Sequence, residues 1–448
     1  MDIYAMLGRV PDFKEFYGVD ELYGHGVRVA SANPGLCRLE YVGQSKAGEP
    51  IPMVSVGDGP QSVLLFASPH PNEPIGAMMA YFLLDELIAD PGLRDGRTWH
   101  IIPCIDPVGT RLNEGWFKGP FNIRNYARHF YRPKGEDQAE WSFPIEYKTL
   151  KFDRPIPETR ALMNAITKTR PAVMYSLHNS GFGGAYYYLS RPLEKAYPAF
   201  HSIPKSVNLP LSLGEPEMPF MKVFAPAVFE MPRVTDAYDH YAKYTDQDPA
   251  RFITGGGSSR DFAEGVSKPL ILVTEVPYFM SPKIADLTKV GRPRKELVLE
   301  GVAKARKMLD FVTKLIDYTK DEVTEEPILK DASIQFAVNM GKRLDGHEKW
   351  ANEAPELLEE GTVAQEADNL HVGVFQNMTI FSMYRRALAA QVAKGASRKV
   401  EEAYEDLDRA IEGWATEVEE ALDYSVVPIR DLVQVQYGAL LAVLEALA

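Results

Sequence analysis

The sequence predicts an α/β protein: a mixed, mostly parallel central sheet flanked by helices, followed by a C-terminal all-α segment. Three observations predict it. The apolar runs Val63-Leu64-Leu65-Phe66, Val173-Met174-Tyr175 and Leu270-Ile271-Leu272-Val273 have the unbroken hydrophobicity of strands covered on both faces. Helical periodicity lies between them, as at Met78, Met79, Phe82, Leu83 and Leu87. Past Asp321-Glu322-Val323-Thr324-Glu325-Glu326-Pro327 the pattern turns helical. The chain of 448 residues therefore divides into a first domain, residues 1–320, and an acidic helical domain, residues 327–448.

Taken in order, Leu39-Glu40-Tyr41-Val42 and Pro52-Met53-Val54-Ser55-Val56 read as strands separated by glycine-containing turns. The strand at 62–67 leads through His70-Pro71-Asn72-Glu73 into a helix from Ile75 to Ala89. Thr98 to Cys104 is the next strand, ending at Asp106-Pro107-Val108-Gly109. Residues 110–155, rich in arginine, aromatics and proline, are too long for a simple connection and are expected to line a site. Pro157-Glu158-Thr159-Arg160 opens a helix with proline in its first turn. Residues 172–178, 186–189 and 270–275 supply further strands, and 296–318 a closing helix. In the C-terminal segment, Val400, Tyr404, Leu407, Ile411, Trp414, Val418 and Ala421 form a heptad seam. Residues 427–447 and 363–392 give two more helices. The expected product is a small bundle packed on itself or on the first domain, with homo-oligomerisation through these helices as the rival reading.

Composition narrows the function. Hydrophobic residues at 45% and charged residues at 25% are those of an ordinary globular protein. Of the net charge of −13, all belongs to residues 320–448, with 12 basic and 25 acidic side chains, while the rest carries 37 of each. No basic stripe of the kind nucleic acid requires is present, and no apolar stretch suits a membrane. With two cysteines and no basic, apolar leader at the N-terminus, the expected compartment is the cytoplasm.

The chemistry gathers at strand ends, where ligands of open α/β sheets bind. His70 and Glu73 follow the run at 63–66, His178 follows that at 173–177, and Glu275 ends that at 270–273. Two imidazoles and a carboxylate, with one position left for water, make a catalytic site for one zinc ion. Zinc lowers the pKa of its water from about 15.7 toward 7, and a separate carboxylate then takes the proton. His70, Glu73 and His178 fit the ligand role, and Glu275 that of general base.

On these residues the chain resembles the zinc metallocarboxypeptidases of the pancreatic-carboxypeptidase superfamily, related to succinylglutamate desuccinylases and aspartoacylases. The likeness runs from about Val42 to Phe279. It includes Val42-Gly43-Gln44-Ser45-Lys46-Ala47-Gly48-Glu49-Pro50-Ile51, the His70–Glu73 pair, Asp106-Pro107-Val108-Gly109 and Pro157-Glu158-Thr159. Ser176-Leu177-His178 and Gly256-Gly257-Ser258-Ser259-Arg260-Asp261, with Glu275 fourteen residues after Asp261, complete it. The resemblance implies hydrolysis of a peptide or peptide-like substrate with release of its C-terminal amino acid. The chain departs from the family in lacking an Asn-Arg dipeptide for the substrate carboxylate, and in having no tyrosine near Arg251-Phe252-Ile253. Arg111, Arg124 and Arg132 are the candidates for gripping that carboxylate, since a guanidinium donates two parallel hydrogen bonds. The resemblance also implies that Arg260, the residue just before Asp261, lines the side-chain pocket, where a guanidinium would favour acidic residues.

Two rivals stand beside this reading. One is a zinc amidohydrolase that deacylates N-acyl amino acids, favoured by Asn72-Glu73-Pro74 followed by Gly76. The other is a non-catalytic binding protein on the same fold, against which Glu275 argues, because a zinc scaffold needs no base. His347-Glu348 lacks the second histidine of H-E-x-x-H, and no G-x-S-x-G elbow or P-loop occurs.

Overall fold

The computed structural model describes residues 2–448. Nine strands form the central sheet: β1 (Cys37–Gln44), β2 (Pro50–Val56), β3 (Gln61–Ala67), β4 (Arg97–Ile102), β5 (Val173–Leu177), β6 (Tyr186–Leu189), β7 (Val223–Ala225), β8 (Val228–Glu230) and β9 (Leu270–Glu275). Their spatial order is β1-β2-β4-β3-β5-β9-β6-β8-β7. The centre, β4-β3-β5-β9, is parallel throughout. Antiparallel pairs β1–β2 and β2–β4 flank it on one side. On the other side β6 is antiparallel to β9, β8 parallel to β6, and β7 antiparallel to β8. The sheet is mixed, with a parallel heart, as its uninterrupted apolar runs require.

The helices used below are α1 (Val19–Ala32), α2 (Ile75–Ala89), α3 (Ile123–His129), α4 (Pro157–Thr169), α5 (Ser259–Val266), α6 (Arg294–Thr319), α7 (Pro327–Glu353), α8 (Gly373–Ala393), α9 (Arg398–Leu422) and α10 (Ile429–Leu447). Alternation along the strands separates two apolar layers. Val63, Leu65, Tyr175 and Leu272 belong to the layer shared with α2 and α10, and Leu64, Phe66, Met174 and Ile271 to that shared with α4 and α5. α10 is buried along nearly its whole length, packed between α2 and the chain's first helical turn.

Residues after 327 do not stand apart. Their buried side chains, from Leu329 to Leu444, are continuous with the core under the sheet. The heptad seam is covered within the chain: Val400, Leu407, Ile411 and Val418 are fully buried, and α9 lies against α8. α7, a helix of 27 residues, occupies an interval to which the sequence pattern gave no element. Residues 110–155 contain α3 and a short hairpin pairing Ile145–Tyr147 with Leu150–Phe152. Among the described residues, no helix is long and apolar enough to cross a membrane.

Candidate functional site: a metal centre in a two-sided cleft

Register brings the candidate residues together. Ala67 of β3 pairs with Leu177 of β5, and Ser176 of β5 with Val273 of β9. The three parallel strands therefore end at one edge, so His70, His178 and Glu275 emerge side by side. After β3 the chain reverses sharply at Ser68, whose φ of 53° lies in the left-handed region. α2 then starts hard against β5. A Cβ on Gly76 would fall 2.4 Å from the Leu177 Cβ, so only glycine permits this approach. Asn179 accepts a hydrogen bond from the Ile75 N–H at 3.3 Å and ties the two turns together.

His70, Glu73 and His178 are all buried, and their ligand atoms lie within 4.8 Å of one another. Glu73 Oε2 faces His178 Nδ1 at 3.1 Å and accepts from the Asn179 N–H at 3.3 Å. Burial, then Arg132 and His178, hold the His70 pKa well below its ordinary value, so its ring is neutral, as a zinc ligand must be. His70 Nε2 is buried without a hydrogen-bond partner. Behind the ligands, His178 Nε2 meets Ser176 Oγ at 2.8 Å, and that hydroxyl reaches Glu140 Oε2 at 3.4 Å. Such outer contacts fix ring orientation in metal sites. Gln436 of α10 donates to the His178 carbonyl at 2.6 Å, so the last helix braces the ligand strand. The donor set, its compactness and its neutral imidazole fit a zinc ion held by these three residues.

Glu275 is buried and lines the same cleft. Its pKa is raised well above the carboxylate range by burial first, then by Glu73 and Glu217. Of the four arginines expected to bind substrate, the structure brings only Arg132 here. It donates to Glu73 Oε1 at 2.9 Å, and its other nitrogen faces His70 Nδ1.

The other three lie outside the cleft lining, contrary to expectation. Arg111 is held at 2.8 Å by both Asp20 and Glu49, outside the cleft lining. Arg124 pins α3 to α9 through Glu412, Thr416 and Glu419. Arg260 is 1% exposed and paired with Glu264 at 2.9 Å and Glu230 at 3.4 Å, with the Ser190 carbonyl at 3.3 Å. Ser190 hydrogen-bonds Ile271, four residues before Glu275, which places Arg260 roughly 13 Å back along the sheet at about 3.3 Å per residue. It cannot read a substrate side chain, and the acidic preference loses its basis. The marks at 42–51, 106–109 and 157–159 are architectural. Glu158 accepts the Lys46 N–H at 2.7 Å, and Asp106 caps its own turn through the Gly109 N–H at 2.8 Å.

The cleft, of about 1060 Å³, has one wall that sequence patterns did not reveal. Phe336, Met340 and Arg343 come from α7, and Asp368, Asn369 and Val372 from a π-helical turn before α8. The cleft is also lined by Tyr186, Tyr188 and Glu217, with Tyr241 stacked on Phe252 at 5.0 Å. The alternation in Tyr186-Tyr187-Tyr188 was the one sequence signal for this part of the lining, since it sets two tyrosines on one face. Glu140, in an irregular loop, had none.

Among solved structures the chain is similar to carboxypeptidase A from Helicoverpa armigera, at 14% identity over 62% of this chain and 69% of that one, with a TM-score of 0.40. Bovine thrombin-activatable fibrinolysis inhibitor is 11% identical over 58% of this chain and 86% of its own, with a TM-score of 0.37. A metallo-carboxypeptidase from Burkholderia cenocepacia is 15% identical over 58% and 60%, with a TM-score of 0.34. Comparison with curated proteins gives no match. The zinc carboxypeptidase family model matches residues 26–281, more than half of the chain and the whole span that carries His70, Glu73, His178 and Glu275, so the chain belongs to the zinc carboxypeptidase family.

Proposed function

We propose that this protein is a zinc-dependent hydrolase that releases the C-terminal amino acid from a peptide or peptide-like substrate. The observation that carries the reading is the convergence of His70, Glu73 and His178 beside Glu275 at three adjacent strand ends. One zinc ion held there would supply a Lewis acid and lower the pKa of a bound water toward about 7. Glu275 takes the water's proton and passes it to the departing amine nitrogen, a role suited to a carboxyl whose pKa burial raises. Arg132, beside the ligands, presents a planar fork for the substrate's carboxylate or its scissile carbonyl. Ser176 and Glu140 hold the His178 ring in place.

The test is hydrolysis of hippuryl-amino acids against N-acetyl amino acids by zinc-loaded protein, before and after chelation. Peptide cleavage is expected to stop with chelator, return with zinc, and fall by about 10²- to 10⁴-fold in Glu275→Gln with zinc content retained. Activity that survives chelation or Glu275→Gln rejects the proposal. Cleavage of the N-acetyl amino acids alone favours the deacylase reading.

A further inference from the structure

The sheet face that carries Glu275 also carries two tyrosines. Glu275 sits opposite Tyr186, and Val273 opposite Tyr188, so alternation points all four side chains the same way. Both tyrosines are buried and line the cleft. Their hydroxyls converge on one carboxylate: Tyr186 Oη donates to Glu217 Oε1 at 2.6 Å, and Tyr188 Oη to Glu217 Oε2 at 2.7 Å. Each oxygen receives one neutral donor and keeps a lone pair for another.

Glu217 differs from its acidic neighbours. Glu73 is paired with Arg132 and Glu215 with Arg294, whereas among the described residues Glu217 forms no ion pair. It is nonetheless fixed in direction, because the two tyrosines hold its oxygens and the segment just before it is pinned. The Glu215 N–H donates to Asp368 Oδ2 at 2.7 Å, Arg294 Nε donates to Glu215 Oε1 at 2.8 Å, and the Ser212 N–H reaches the Ala185 carbonyl at 3.0 Å. Gly214 lies so close to Asp368 that a Cβ would fall 1.8 Å from its carboxylate. Phe229 stands 6.0 Å from the Tyr188 ring and 6.4 Å from the Tyr186 ring, which completes an aromatic lining around the acid. Aromatic faces and a fixed anion together attract a cation with an apolar stem and repel a carboxylate.

We propose that Glu217, oriented by Tyr186 and Tyr188, sets the specificity of this cleft for a substrate whose released amino acid ends in an amine or guanidinium. The inference rests on the hydrolytic reading above and reverses the preference expected from Arg260.

The experiment compares kcat/KM for hippuryl-L-lysine, hippuryl-L-arginine, hippuryl-L-leucine and hippuryl-L-glutamate with the zinc-loaded full chain. The basic substrates are expected to lead leucine by about 10- to 100-fold, the yield of one charge-assisted contact, with glutamate last. Glu217→Gln is expected to collapse the lysine-to-leucine ratio, and Glu217→Arg to turn preference toward glutamate. Calorimetric binding of free L-lysine and L-leucine gives a readout without turnover, and zinc content and circular dichroism check each variant's fold. Cleavage without a basic preference, or a ratio that Glu217→Gln leaves intact, overturns the specificity while the hydrolytic reading stands. No cleavage, but L-lysine binding that Glu217→Gln abolishes, supports the subsite and rejects the hydrolase. Neither cleavage nor lysine binding overturns both.

Discussion

Asp368 offers a stability test that is independent of catalysis. It lies in the π-helical turn, accepts the Glu215 N–H at 2.7 Å, and has its pKa raised from 3.8 to about 7, by burial foremost, with the Glu215 charge adding and that hydrogen bond opposing. Raised in the folded state, it contributes stability that is fully present below pH 3.8 and lost as pH rises to about 7. At 1.36 kcal/mol per unit the whole span is at most about 4 kcal/mol, and contact with cleft water lowers it. Asp368→Asn keeps an oxygen for the Glu215 N–H but cannot ionise. Urea unfolding of both proteins, followed by tryptophan fluorescence, isolates this group from the other buried acids. From pH 5 to pH 8 the wild type should lose about 2 kcal/mol relative to the variant. Parallel profiles, or a wild type that gains on the variant as pH rises, refute the argument.

Two further substitutions test how the site is built. Gly76→Ala drives a methyl group into Leu177, between the two ligand turns, and should cost about 1–3 kcal/mol in urea unfolding and weaken zinc retention in competition with a chelator. Arg132→Lys keeps the charge beside Glu73 but removes the planar fork; KM for a hippuryl-amino acid should rise by about tenfold or more while bound zinc is unchanged.

The sheet and the clustering of the candidate ligands were legible because both leave local traces. Buried parallel strands are unbroken apolar runs, and the residue after such a run faces the ligand edge, which is how His70, His178 and Glu275 stood out. The arginines were not separable. Arg111, Arg124, Arg132 and Arg260 look alike in sequence, and only tertiary packing gives each its partner. α7 escaped notice because several residues it buries are small, Ala332, Ser333 and Ala337 among them. It also contains Gly341 and Gly346, and it starts from a left-handed Glu326 with no side-chain cap. Its contribution to the cleft wall was hidden for the same reason. Glu217 lies in a loop whose path depends on Asp368 and Arg294, contacts far away along the chain.

The amide of Gln436 reaches the His178 carbonyl across 258 positions of sequence. A ribosome has thus exposed the proposed metal ligands and the proposed general base well before it makes the helix that braces His178. Until residues 429–447 emerge and dock, the chain lacks the hydrogen bond from Gln436 to the His178 carbonyl. The backbone at His178 therefore gains this support only once that helix has docked.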